Sequence, residues 1–167
     1  MKLHLPMTLL AALLASLSLP PSATAAELAW AGTAGNNIWT LNGTPDDSPW
    51  ADNAVYTDAD TVIFGTIDGQ DLVEVLLSGT VTPAGLTFNS DTTSYTLKGD
   101  GTLAGNGPLT KSGTSTLRLE TLNPGFSGTI NLNGGVLELG ADGVLGTGKI
   151  SWGGGTVKYG EGVTTDI

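Results

Sequence analysis

The stretch Gly128-Thr-Ile-Asn-Leu-Asn-Gly-Gly-Val-Leu-Glu-Leu-Gly140 is followed by Gly148-Lys-Ile-Ser-Trp-Gly-Gly-Gly-Thr-Val-Lys-Tyr-Gly160. Laid over each other, Ile130 meets Ile150, Gly134-Gly135 meet Gly154-Gly155, and Gly140 meets Gly160. Each copy holds two short apolar/polar alternations separated by glycines. Alternation with period two is the mark of a strand with one buried face. The glycine pair marks a sharp turn, where a side chain resists the required backbone. Strand pairs repeating at a fixed interval stack on their predecessors, which is how a solenoid is built.

The interval extends outward from this pair. Leu77, Leu97, Leu117, Leu137 and Val157 stand twenty residues apart, with Leu119, Leu139 and Tyr159 in a second register. Lys98, Arg118, Glu138 and Lys158 lie between the two registers. We read the apolar positions as one inward ladder. The charged positions form an outward one, with Arg118, Glu138 and Lys158 alternating in sign and Lys98 beside Arg118 breaking the alternation. The pattern predicts strands over 72–77, 85–89, 94–98, 102–104, 108–111, 115–120, 129–133, 136–139, 149–152 and 156–159. A weaker strand is predicted over Thr61 to Phe64. The expected fold is all-β, a right-handed parallel β-helix with a Trp-rich N-terminal cap. An antiparallel β-sandwich is the alternative.

Three regions are distinguished. Residues 1–25 read as a secretion signal: Lys2, an apolar run from Leu5 to Leu19, Pro20-Pro21, then Ala23-Thr-Ala25 before a cleavage point. The run is too short to span a bilayer comfortably, and no later stretch could cross as a helix. Residues 26–71 carry Trp30, Trp39 and Trp50 and a run of acids, and read as a capping segment for an otherwise open apolar core. Residues 72–167 read as the repeat region. It reaches Ile167 without a matching cap, so the chain is expected to be a fragment of a longer repeat protein.

Composition narrows the chemistry. Loss of the leader removes Lys2 and the only histidine, His4, leaving five basic against sixteen acidic residues. So acidic a surface repels nucleic acid and anionic lipid. There is no cysteine, so packing and backbone hydrogen bonds must hold the fold. Without His or Cys, Ser-His-Asp and Cys-His catalysis and His- or Cys-ligated zinc are excluded from the mature chain. Asp58 with Asp60, or Asp68 with Asp71, could form the paired carboxylates of a glycosidase or contribute to a calcium site. We read them instead as acids solvating turns. No cofactor is expected. Trp30, Trp39 and Trp50 could contact glycans, although packing is the preferred role. Trp152 replaces Leu132 of the previous rung and is expected to point inward, and Phe126 to close a turn against the core.

The stretch Gly105-Asn-Gly-Pro-Leu-Thr-Lys-Ser-Gly-Thr-Ser-Thr-Leu-Arg-Leu-Glu120, then Asn123, Phe126-Ser-Gly-Thr129 and Gly135-Val-Leu-Glu-Leu-Gly140, resembles the autotransporter-associated β-strand repeat, also called the passenger-associated transport repeat. The leader around Trp30, Asn36-Asn-Ile-Trp39 and Trp50 is similar to the segment that often precedes such repeats. Pro124-Gly125 is an insertion relative to the pattern, and no translocator barrel follows. The resemblance implies a parallel β-helix passenger of a bacterial protein, exported and displayed at the surface or released, with downstream repeats of its own kind as neighbours. The reading is therefore a non-enzymatic structural segment. A glycan-binding surface module is the alternative, and a polysaccharide lyase the weakest candidate.

Overall fold

The computed structural model describes residues 24–32 and 36–164. The proposed signal lies outside the described residues, except for its last two positions. Fifteen strands follow in order: β1 (Glu27–Ala29), β2 (Ile38–Thr40), β3 (Thr61–Phe64), β4 (Leu72–Ser78), β5 (Thr80–Val81), β6 (Gly85–Phe88), β7 (Ser94–Gly99), β8 (Thr102–Gly105), β9 (Leu109–Lys111), β10 (Thr116–Leu119), β11 (Gly125–Phe126), β12 (Ile130–Leu132), β13 (Val136–Leu139), β14 (Ile150–Trp152) and β15 (Thr156–Tyr159). Two single-turn 3-10 segments, Pro45–Asp47 and Ala51–Asn53, lie between β2 and β3.

The strands form two six-stranded sheets, β1-β3-β6-β9-β12-β14 and β15-β13-β10-β7-β4-β2, and a three-stranded sheet β11-β8-β5. Every strand pairing among the described residues is parallel. The one antiparallel contact is an isolated bridge between Trp30 and Trp50. The chain is a β-solenoid, and the antiparallel sandwich is set aside.

The register corrects the ladder expected from a constant interval. Leu117 pairs with Leu137 and Leu137 with Val157; Leu119, Leu139 and Tyr159 stand in the neighbouring column. Leu97, however, lies beside Leu119 and Val75, while Leu117 lies beside Tyr95. Leu77 faces Trp39 and Gly99. The step between coils in this sheet is therefore 22 residues from β4 to β10 and 20 thereafter. A slip of two residues leaves the inward or outward direction of a side chain unchanged. The constant interval thus found inward residues, since Leu77, Leu97, Leu117 and Leu137 are all buried, but gave the earlier ones the wrong neighbours.

The same shortening runs through the other large sheet. Val62, Leu86, Leu109, Ile130 and Ile150 stack at steps of 24, 23, 21 and 20 residues. Side-chain size follows coil length. The first coils are filled by Trp30, Trp39, Trp50, Tyr56, Phe64, Phe88 and Tyr95, and the later ones mainly by Leu, Ile and Val, with Phe126 at a corner. Phe64 and Phe88 stack face to face, with centroids 4.4 Å apart. Residues 26–71, expected to cap the core, carry much of its aromatic end, and β1, β2 and β3 extend the sheets.

Two glycines show why the turns tolerate no side chain. Gly99 has φ +110°, and a β-carbon there would lie 2.6 Å from the Leu77 carbonyl oxygen. A β-carbon on Gly148 would lie 2.7 Å from the Gly128 carbonyl oxygen of the coil beneath. Both residues sit where one coil's backbone rests on the next.

Candidate functional site

The aromatic end holds the side chains expected to meet a ligand. Trp30, Trp39 and Trp50 are 4%, 0% and 2% exposed. Trp39 meets Trp50 and Tyr56 edge to face at 5.5 and 5.3 Å, and Trp30 meets Trp50 in the same way at 5.0 Å. Edge-to-face contact is a favoured arrangement of aromatic rings. The three indoles are enclosed by one another and by their neighbours, so no ring face is open to solvent. The expectation of glycan contact through these three residues is corrected by their burial. The indole N–H groups of Trp30 and Trp39 have no hydrogen-bond partner among the described residues.

Beside this cluster lies a pocket of about 220 Å³. Thr40, Thr44, Asp47, Ser48, Trp50 and Tyr56 contribute to its wall. Part of the polar lining holds the loop together. The Ser48 hydroxyl donates to the Ala54 carbonyl oxygen and accepts from the Trp50 N–H at 3.1 Å. The Asn36 carboxamide donates to the Asp47 carbonyl oxygen and accepts from the Ile38 N–H at 2.9 Å. The wall holds neither His nor Cys, and its one carboxylate is that of Asp47.

Two of the four acids singled out in the sequence, Asp58 and Asp60, are tied to the backbone. Asp60 is buried; one carboxylate oxygen accepts from the Ala26 N–H at 2.7 Å, the other from the Thr57 N–H and hydroxyl at 2.8 and 2.9 Å. Asp58 accepts from the Thr82 N–H at 2.8 Å and the Tyr56 hydroxyl at 3.2 Å. Asp60 thereby fixes the entering chain and Asp58 fixes the following coil. Burial, with a smaller contribution from the Asp58 carboxylate, pushes the Tyr56 hydroxyl well above its ordinary pKa. Asp68 and Asp71 are exposed. No group of three or more His, Cys, Asp or Glu able to hold a metal ion occurs among the described residues.

Compared with family models, curated proteins and solved structures, the chain matches none.

Asn123 is the clearest case. It is 1% exposed, and its side-chain oxygen accepts from the Leu103 N–H at 2.8 Å and the Thr121 hydroxyl at 3.2 Å. Its amide donates to the Val144 carbonyl oxygen at 2.7 Å. One side chain thus bonds the coil before it and the coil after it. Phe126, three residues on, is also buried and lies under the glycine turn at Gly128 and Gly148.

Lys111 carries a charge-bearing group that the strand pattern missed. It occupies the inward column between Phe88 and Leu132 and is 1% exposed. Its ammonium donates to the carbonyl oxygens of Ser112 at 2.6 Å and Gly113 at 3.3 Å. Burial lowers its pKa, an effect that Asp91 partly opposes. The signal was present: positions 88 and 132 are apolar, so a lysine between them had to bring its own acceptors.

On the outer face, the Arg118 guanidinium pairs with Glu138 and, at 2.6 Å, with Glu120, while Lys158 reaches Glu138 at 3.4 Å. Lys98 does not stand beside Arg118, whose neighbour is Thr96. Lys98 instead pairs with Glu74 at 2.6 Å, so the two-residue shift turns an expected repulsion into an ion pair. The most exposed aromatic rings lie at the opposite end from the tryptophan cluster. Trp152 is in register with Leu132, as expected, yet is 60% exposed, and Tyr159 is 45% exposed; they lie on β14 and β15, the last two of the described strands.

Proposed function

We propose that this chain is a non-enzymatic structural β-solenoid, an exported passenger or display segment of the autotransporter-associated-repeat kind. The observation that supports the reading is Asn123. It lies in the element that resembles the family pattern, and its side-chain hydrogen bonds with the Leu103 N–H and the Val144 carbonyl oxygen link successive coils. Asp58 and Asp60 are engaged in the same way at the aromatic end. Polar side chains committed to backbone groups build a rigid rod rather than a reactive cleft.

The test is expression of residues 1–167 in a Gram-negative host, followed by fractionation and N-terminal sequencing. A mature N-terminus at Ala26 or Glu27, in the periplasm, on the surface or in the medium, is expected. A cytosolic chain retaining Lys2 rejects export. Unsaturated products from acidic polysaccharides would reject the non-enzymatic reading.

A further inference from the structure

Asp60 is a buried acid with only neutral partners. One carboxylate oxygen takes the Ala26 N–H at 2.7 Å, and the other takes the Thr57 N–H and hydroxyl. None of the ion pairs among the described residues includes it. The sequence holds no lysine, arginine or histidine between residues 24 and 97. A carboxylate taken out of water is costly to keep ionised, and a cation beside it offsets that cost best. Ala26 is also the first residue of the described chain to be held by others. Its carbonyl oxygen accepts from the Thr61 N–H at 2.8 Å, and Glu27 opens β1 in register with Thr61. Thr24 and Ala25 are exposed and make no hydrogen bond among the described residues.

We propose that the leader is cut between Ala25 and Ala26, and that the α-ammonium group created there is the missing cation of Asp60. The inference rests on the export reading above and selects Ala26 over Glu27 as the first mature residue. Hydrolysis of the Ala25–Ala26 amide consumes one water. The leader keeps the carboxylate of Ala25, and the amide nitrogen becomes the ammonium of Ala26; a signal peptidase of the exporting cell is the catalyst. The nitrogen has no distance to travel, since as an amide it already lies 2.7 Å from Asp60 Oδ1. One N–H of the ammonium goes to Asp60, and the exposure of Ala26 leaves the other two to water. A hydrogen bond from a neutral donor thus becomes a full ion pair. A cut one residue later would remove the donor to Asp60 and the acceptor of the Thr61 N–H together. The main chain of Asp60 carries the effect onward, because its carbonyl oxygen accepts from the Ala84 N–H of the next coil at 2.9 Å. While the leader is attached, this first corner of the solenoid lacks its ion pair; release of the leader completes it.

The processed protein obtained by expressing residues 1–167 should begin at Ala26 on N-terminal sequencing. A start at Glu27 or later overturns the inference, whereas a chain retaining Lys2 rejects the export reading. Mature chains released from an N-terminal fusion, to begin at Ala25 or at Ala26, read the ion pair with no export step, so the two failures are told apart. At neutral pH the Ala26 start should melt about 3 °C or more above the Ala25 start, the shift expected when a charged donor replaces a neutral one at a buried carboxylate. In a double-mutant cycle, Asp60→Asn should close that gap. An Ala26 start acetylated at its α-amine alone keeps the amide and loses the charge. It should melt with the Ala25 start, and this comparison needs no substitution that could unfold the chain. Equal midpoints for the free and acetylated Ala26 starts overturn the inference, as does a gap that survives Asp60→Asn.

Discussion

Arg118 and Glu138 stand opposite each other on adjacent parallel strands, guanidinium against carboxylate, twenty residues apart in the chain. Glu138 also accepts Lys158 from the far side, so a single carboxylate holds two cations of neighbouring coils. Strand register here is written in charge as well as in leucine.

Glu138→Lys should therefore destabilise the protein. It removes two ion pairs and places three cations in a row. Exposed cross-strand pairs contribute about 0.2–1 kcal/mol each, so a loss of about 1–2 kcal/mol is expected. Thermal melts at low and high salt test this. The midpoint should fall by a few degrees, and the gap should narrow as salt screens the repulsion. An unchanged or raised midpoint would count against the ladder.

Asn123→Ala should cost more. It leaves the Leu103 N–H and the Val144 carbonyl without their side-chain partner in a buried corner. Unsatisfied buried groups cost about 1–3 kcal/mol each, which puts the total for the two at about 2–6 kcal/mol. Urea denaturation reads it. A loss below that of an ordinary surface substitution would show that Asn123 does not tie the coils.

Lys111→Met tests the buried ammonium. Because burial lowers its folded pKa below 10.5, the folded state releases the proton first as pH rises. The unfolded chain then holds more protons, and stability increases with pH until the unfolded lysine titrates. The wild-type chain should gain stability as pH approaches 10.5 from below, and Lys111→Met should lack that gain. Chemical denaturation across alkaline pH decides between them; parallel curves would reject this role for Lys111.

Tyr95 acts in the opposite sense. Its hydroxyl donates to the Gly65 carbonyl oxygen at 2.5 Å, and burial pushes its pKa above the ordinary 10.0. A folded pKa above the unfolded one gives stability that is complete below pH 10 and is lost as pH climbs beyond it. Tyr95→Phe should lose about 1 kcal/mol at neutral pH and unfold less steeply in strong alkali. Phenolate absorbance followed alongside circular dichroism would show whether tyrosine ionisation and unfolding coincide.

Much of the architecture was legible in the residues. Period-two alternation between glycines located the strands of the repeat region to within a residue or two at most ends, from β4 to β15. The short β5 and β11 escaped because a two-residue strand has no period to read. β1 and β2 escaped because their rungs lie 34 and 38 residues from the next, too far for any repeat to be heard. The charged ladder from Arg118 to Lys158 was legible because equal coils keep like positions in phase.

The sequence by itself determined which side chains turn inward, since a strand alternates its faces whatever it pairs with. The tertiary structure alone decided which of them touch. Coil length sets register, and it is fixed by how many residues each turn needs to pass around the core. That core is aromatic and broad at one end and aliphatic and narrow at the other. For this reason Leu97 lies against Leu119 rather than Leu117, Lys98 meets Glu74 rather than Arg118, and the tryptophans lie buried against one another.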